Sequence, residues 1–193
     1  MEKKKTDLRV KRTKQSIRKA FCDMIIEMDY HEITIKELAH RAMINRNTFY
    51  LHYTSVDELL EELQNEIAEK LISMYISYEN IKDVEEMIRR FFEYVTSGSS
   101  LQERIFCSGS YRFVAEKINE QIVAHRNESR RGALGVGEAT EDMLLAYCGS
   151  VASVLFRQWV AGGKRLSVDE LIELATNLIC HGMDAVIGQK PTA

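Results

Sequence analysis

At 193 residues, 45% of them hydrophobic, the chain can bury a substantial core. Its single proline, Pro191, stands against roughly ten at average usage, which favours long unbroken helices over a loop-rich or all-β fold. The net charge of −3 conceals a polarity: residues 1–53 hold 12 Lys and Arg against 7 Asp and Glu, a balance of +5, whereas residues 54–193 hold 14 against 22, a balance of −8.

No apolar run approaches the roughly 20 residues a bilayer requires, and the charged start MEKKKTDLRVKR has no hydrophobic segment behind it. Cys22, Cys107, Cys148 and Cys180 form no CxxC pair and sit in apolar helical contexts. The expectation is a cytoplasmic protein with reduced, buried thiols, no membrane association, no metal and no cofactor.

The apolar positions Ile17, Ala20, Phe21, Met24, Ile25 and Met28 follow helical spacing and predict a first helix from about Asp7 to Met28. Lys3, Lys4, Lys5, Arg9, Lys11, Arg12, Lys14, Arg18 and Lys19 make this end basic, and the first few read as a flexible arm that reaches phosphates or a minor groove. Thr34 with Glu37 forms a capping-box pattern, so a helix starts at Ile35, with Ile35, Leu38, Ala39 and Ala42 on one buried stripe. After Met43 and Ile44, Asn45 is a second N-cap, and Arg46, Asn47 and Thr48 open another short helix. Phe49 and Tyr53, four apart, face inward, while Tyr50 and His52 project outward. Two short helices about a tight turn, the second rich in outward polar groups, read as a helix-turn-helix.

Ser55 with Glu58 repeats the capping chemistry, and Leu59, Leu60, Leu63, Ile67, Leu71 and Met74 run along a helix of roughly 20 residues, about 30 Å. Asp83 with Glu86 starts the next, carrying Val84, Met87, Ile88, Phe91, Phe92 and Val95 until Ser97-Gly98-Ser99-Ser100 breaks it. A short helix over Leu101–Cys107 and a longer one over Tyr111–His125, with Val114, Ile118 and Ile122 inward, precede a glycine-rich loop from Arg130 to Gly137. Thr140–Ala161 carries Met143, Leu144, Tyr147, Val151, Val154, Leu155 and Trp159 and ends at Gly162-Gly163. Ser167 with Glu170 caps the last helix, which runs through Leu171, Ile172, Leu174, Leu178, Ile179, Met183 and Val186 to Gly188. The whole is an all-α chain of about nine helices.

The basic first helix, the Thr34 cap, the run TFYLHY from Thr48 to Tyr53, and Ser55 with Asp57-Glu58-Leu59-Leu60 fall in the register of a known pattern: the chain resembles the TetR family of bacterial transcriptional repressors. It departs from that pattern at Met43, where the turn usually carries Gly, and at Val56, where a phosphate-contacting Lys usually sits. The resemblance implies a three-helix DNA-binding domain with a helix-turn-helix and a basic arm in residues 1–53. Residues 54–193 would form a helical bundle for dimerisation and ligand binding. By position in the motif, Arg46, Asn47 and Thr48 are the candidates for base edges and Leu51 for a thymine methyl; Lys36 matches a position that reaches a base or phosphate, and Thr34, Tyr50 and His52 match phosphate contacts.

The resemblance further implies a homodimer on a palindromic double-stranded DNA operator, joined through the last two helices, where Ala146, Gly149 and Ser153 form a small-residue strip. It also implies a small-molecule inducer within the bundle. Met74, Tyr75, Tyr78, Phe91, Phe92, Phe106, Tyr111, Tyr147 and Trp159 are the candidate pocket residues, combining apolar surface with phenolic and indole donors. No Gly-rich phosphate loop, HExxH or GxSxG motif is present, so catalysis is not expected. The competing expectation keeps the fold and discards the DNA: a dimeric interaction module or coactivator, favoured by Val56 alone.

Overall fold

The computed structural model describes residues 2–75, 81–97, 100–129 and 135–187. Nine α-helices occur among them: α1 (Glu2–Glu27), α2 (Ile35–Arg41), α3 (Arg46–Tyr50), α4 (Val56–Tyr75), α5 (Ile81–Thr96), α6 (Ser100–Cys107), α7 (Arg112–Ser129), α8 (Glu138–Ala161) and α9 (Val168–Ile187). Single 3-10 turns over Tyr30–Glu32 and Gly109–Tyr111 link α1 to α2 and α6 to α7, and no strand occurs among the described residues.

The expected starts are met where capping chemistry operates. Thr34 Oγ1 accepts from the Glu37 N–H at 3.2 Å, and Ser55 Oγ from the Glu58 N–H at 3.1 Å. Of Thr34, Ser55 and Ser167, the reciprocal half of the box forms at Ser167, whose N–H donates to Glu170 Oε2 at 2.7 Å. Glu37 turns instead to Arg41, and Glu58 reaches one residue further back, to the Thr54 N–H at 2.6 Å. The expected arm is also different: α1 is helical from Glu2, so the basic terminus extends the helix rather than forming a coil.

Two apolar clusters hold the chain together. In the first, Ile17, Phe21, Met24 and Ile25 of α1 meet Leu38 of α2, Phe49 of α3, and Leu59, Leu60 and Leu63 of α4, all buried. The same cluster continues without a break into Ile67 and Leu71 of α4, Ile105 of α6 and Val114 and Ile118 of α7. The expected boundary between residues 53 and 54 therefore lies inside one continuous core. The second cluster joins α5 (Val84, Met87, Ile88, Phe92, Val95) to α8 (Leu144, Leu145, Cys148, Ala152, Phe156) and α9 (Leu171, Ile172, Ala175, Ile179).

Helix α8 is, by length and composition, apolar enough to cross a bilayer, contrary to the expectation that no segment is. Its apolar surface is divided between the second cluster and an exposed strip, as in a helix that packs on two sides. Cys148 and Cys180 are buried, Cys22 and Cys107 half-buried, and none of the four is joined in a disulfide. Burial pushes the Cys107 thiol up to about 11. No group of three or more metal-ligating side chains occurs among the described residues.

Candidate nucleic-acid interface

Helix α3 is one and a half turns long and could not persist alone. Neighbours impose it. Its inward face is Phe49, fully buried, which by itself stabilises by roughly 1.5–3 kcal/mol. Tyr53 follows one turn on, 2% exposed, donating its hydroxyl proton to Glu62 of α4 at 3.2 Å, and the two rings lie 5.8 Å apart. At the other end Asn45 Oδ1 accepts from the Asn47 N–H at 2.6 Å. Helix α2 ends in a Schellman motif: the Ile44 N–H donates to Ala39 O at 2.9 Å and the Met43 N–H to His40 O at 3.0 Å. That motif requires a left-handed residue between the two helices, and Met43 occupies it at φ 53 with its side chain 92% exposed. The absence of glycine here is thus met by strain, with the Met side chain projecting clear of the turn.

On this frame Thr34, Lys36, Arg46, Asn47, Tyr50 and Leu51 are exposed, and Thr48 and His52 are half-buried. Thr34 uses its oxygen as an acceptor for the helix cap, which leaves its O–H to donate outward. Leu51 is 80% exposed, an unusual position for an apolar side chain and one suited to a thymine methyl.

The charges of the head are partitioned. Most of its carboxylates are engaged within the chain: Asp57 accepts from Tyr30 Oη at 2.5 Å, Glu62 faces Lys14 and Arg18, Glu27 and Glu37 bind Arg41, and Glu32 accepts from the Asp29 N–H. Arg41 holds the Glu37 carboxyl below its ordinary value. Among the described residues Arg9, Lys11, Arg12, Lys36 and Arg46 are exposed with no ion pair. Lys14 and Arg18, read from sequence with the basic arm, instead brace α1 against Glu62 and Glu66 of α4. The side chains of Lys3, Lys4 and Lys5 lie outside the described residues. Val56 is half-buried against the first cluster, so where a phosphate-binding cation was expected the chain has a packing residue.

Sequence reasoning missed the clasp between head and body. Arg104 of α6 donates through Nη2 to Asp29 Oδ1 at 2.8 Å and through Nε to Ile25 O at 3.2 Å, while Tyr111 Oη donates to Met28 O at 2.8 Å. These bonds cap the C-terminal carbonyls of α1, and residues 75 or more positions away supply them, so no local pattern announces them.

A cavity of about 500 Å3 lies in the body, walled by α4, α5, α6, α7 and α8. Of the candidate pocket residues, Phe91 and Phe106 line it. Phe92 is buried in the second cluster; Met74 packs on the first; Tyr111 is committed to Met28 O; Tyr147 donates to Leu178 O at 3.2 Å on the outer face; and Trp159 Nε1 donates to Leu166 O at 2.8 Å. The side chain of Tyr75, and Tyr78 altogether, lie outside the described residues. Gly149 and Ser153, expected against a partner helix, line the cavity, and only Ala146 of that strip is on the exposed face. Beside it stand Met143 (74% exposed), Tyr147 (41%) and Val154 (46%) of α8 and Leu174 (41%) and Leu178 (48%) of α9.

Comparison with known proteins bears on both halves of the chain. Residues 17–63 match the family model for bacterial regulatory proteins of the tetR family. The HTH-type transcriptional regulator YxbF of Bacillus subtilis (strain 168) is 41% identical over 63 residues, a stretch that is 32% of this chain and 17% of that protein. The TetR transcriptional regulator from Streptococcus agalactiae 2603V superposes with a TM-score of 0.69 at 19% identity, covering 90% of this chain and 97% of that one. NalD of Pseudomonas aeruginosa, the secondary repressor of the MexAB-OprM multidrug efflux pump, gives 0.69 at 14% identity, covering 89% and 95%. At those identities the structures establish a shared fold, while the head is related in sequence as well. Residues 17–63 are therefore similar to the N-terminal segment of the tetR family of bacterial regulatory proteins, and the chain carries that segment on a fold it shares with solved TetR-type regulators.

Proposed function

We propose that this protein is a sequence-specific, DNA-binding transcriptional regulator, a cytoplasmic repressor that binds a palindromic operator as a homodimer and is released by a small molecule. The observation that carries the reading is α3: Arg46, Asn47 and Tyr50 of the helix and its C-cap Leu51 are exposed together, while Phe49, with Tyr53 just beyond the helix, is locked into the core. Arg46 and Asn47 read guanine and adenine edges, each bidentate contact discriminating by about 1–3 kcal/mol, while Thr34, Lys36, Tyr50 and His52 set register on phosphates. Thr48, half-buried, reads at shorter reach. One such helix reads few bases, and a two-fold pair about 34–36 Å apart, or a multiple, reads a palindrome. The exposed strip of Met143, Tyr147, Val154, Leu174 and Leu178 supplies the dimer contact, with Ala146 at its edge.

The cavity is the regulatory site. Phe106 and Cys107, which line it, follow directly on Arg104 and Ile105, the residues through which α6 holds α1. A ligand favouring the non-binding spacing of the heads by about 3 kcal/mol weakens operator affinity roughly a hundredfold. The protein acts by binding and not by catalysis. Selection of genomic fragments with the purified protein, followed by titration of the best fragment at two salt concentrations, tests the reading. Enrichment of a palindrome bound by dimers is expected. Weak, sequence-independent binding alone would favour the coactivator reading, for which Val56 in place of a phosphate-binding cation is the specific support.

A further inference from the structure

The cavity carries an unbalanced charge. Three of its lining residues are ionic: Arg112, Glu116 and Arg157. Arg112 Nε donates to Glu116 Oε1 at 2.9 Å, which neutralises that edge. Arg157 has no ion pair or hydrogen-bonding partner for its guanidinium among the described residues. It is also the one residue charged at neutral pH between Asp142 and Lys164, a cation set alone in the apolar length of α8.

Its neighbourhood does not supply the missing anion. Glu103 is engaged by Lys164, and the Cys107 thiol, although Arg157 and Lys164 draw its pKa down, is kept protonated by burial and by Glu103. Much of the remaining lining is apolar: Leu71, Met87 and Ile88 are buried, and Phe91 and Phe106 are half-buried. A ligand cation would face the guanidinium directly, and a wholly apolar ligand would leave it without a counter-charge. About 500 Å3 is within the range that holds a small organic molecule.

We infer that the cavity binds a small amphiphilic anion, its carboxylate paired with Arg157 and its hydrocarbon portion lying on Leu71, Met87, Ile88, Phe91 and Phe106. This rests on the reading of the cavity as the regulatory site. Arg157 is itself exposed, so the pair is partly screened, and its loss weakens anion binding about tenfold rather than abolishing it.

Calorimetric titration of the full-length protein with octanoate, octanol and octylamine, which share one chain and differ in head charge, tests the assignment. Octanoate is expected to bind most tightly. Arg157→Gln should remove that preference, about tenfold for octanoate with octanol unchanged, and Arg157→Lys should restore most of it. Equal affinity for the three heads, a preference for octylamine, no binding of octanoate, or an octanoate affinity untouched by Arg157→Gln would each overturn it. Operator binding is measured in parallel. Octanoate held through Arg157 without any change in operator affinity would sustain the anion site and sink its regulatory role.

Discussion

Replacing Met43 with glycine should make the protein more stable. Met43 closes the Schellman motif after α2 at φ 53, where a residue with a Cβ is disfavoured by about 1–2 kcal/mol relative to glycine. Against this, glycine restores freedom to the unfolded chain, an opposing effect of about 0.4–1 kcal/mol. The Met side chain is 92% exposed, so its removal forfeits almost no burial. The difference is a net gain of about 0.5–1 kcal/mol, or about 1–4 °C in Tm for a chain of this size. Urea denaturation at fixed protein concentration measures it, so that any self-association contributes equally to every variant. Met43→Ala serves as the control: it keeps the Cβ, gains none of the relief, and should lie about 1 kcal/mol below Met43→Gly. If the glycine and alanine variants were equally stable, or glycine the weaker, strain at the turn would be the wrong account of this position.

Four further outcomes follow from the geometry. Arg46→Ala should weaken the preferred operator by about 1–3 kcal/mol and random DNA far less; equal losses at matched salt would remove Arg46 from base reading. Val56→Lys should add one phosphate contact, steepening the dependence of log K on log salt by about one, with some loss of stability because Val56 packs on the head core. Leu178→Asp should shift the protein towards monomer in sedimentation experiments, and an unchanged dimer would place the contact elsewhere. Alkaline pH should loosen the head. The hydroxyls of Tyr53 and Tyr111 are raised from 10.0 to about 12, chiefly by burial, and that of Tyr30 is raised further by burial and its bond to Asp57. The unfolded chain then releases these protons from about pH 10 while the folded chain keeps them, so stability present below pH 10 declines as pH rises towards 12. A spectrophotometric tyrosine titration in which all eight tyrosines ionised together near pH 10 would contradict this.

What could be read from the sequence was what short-range chemistry determines. Thr34, Asn45, Ser55 and Ser167 announce helix starts because a cap is satisfied within three residues, and each start stands where the pattern put it. Phe49 and Tyr53 were legible because four residues make one helical turn. The cavity was not legible in this way. Phe91 lines it and Phe92, the next residue and the same amino acid, is fully buried in the second cluster. Successive residues of a helix point about 100° apart, so the two rings enter different surroundings, and which of those holds a cavity is set by the packing of α4 to α8, not by the pattern of α5 alone. Gly149 and Ser153 were legible as small residues but not as cavity lining: small residues admit a close neighbour and equally leave open space, and nothing of this chain lies within 4 Å of where a Gly149 Cβ would sit. One signal was available and unused. A single arginine within the apolar run from Met143 to Gly163 is a conspicuous placement, and Arg157 turned out to line the cavity.

The head has no private core. Leu59, Leu60 and Leu63, which complete the burial of Phe21 and Phe49, belong to the same helix whose later turns bury Ile105, Val114 and Ile118. Anyone wishing to exchange operator preferences between relatives would find that cutting after Tyr53 strips the transplanted piece of the wall it folds against. A workable chimera would carry α4, α6 and α7 along with the recognition helix and join the donor to the recipient at the seam between the two apolar clusters, where Phe91, Tyr94 and Phe106 touch both. Substituting the exposed Arg46 and Asn47 in place disturbs none of that wall, so point replacement on α3 leaves intact the core that module shuffling would cut.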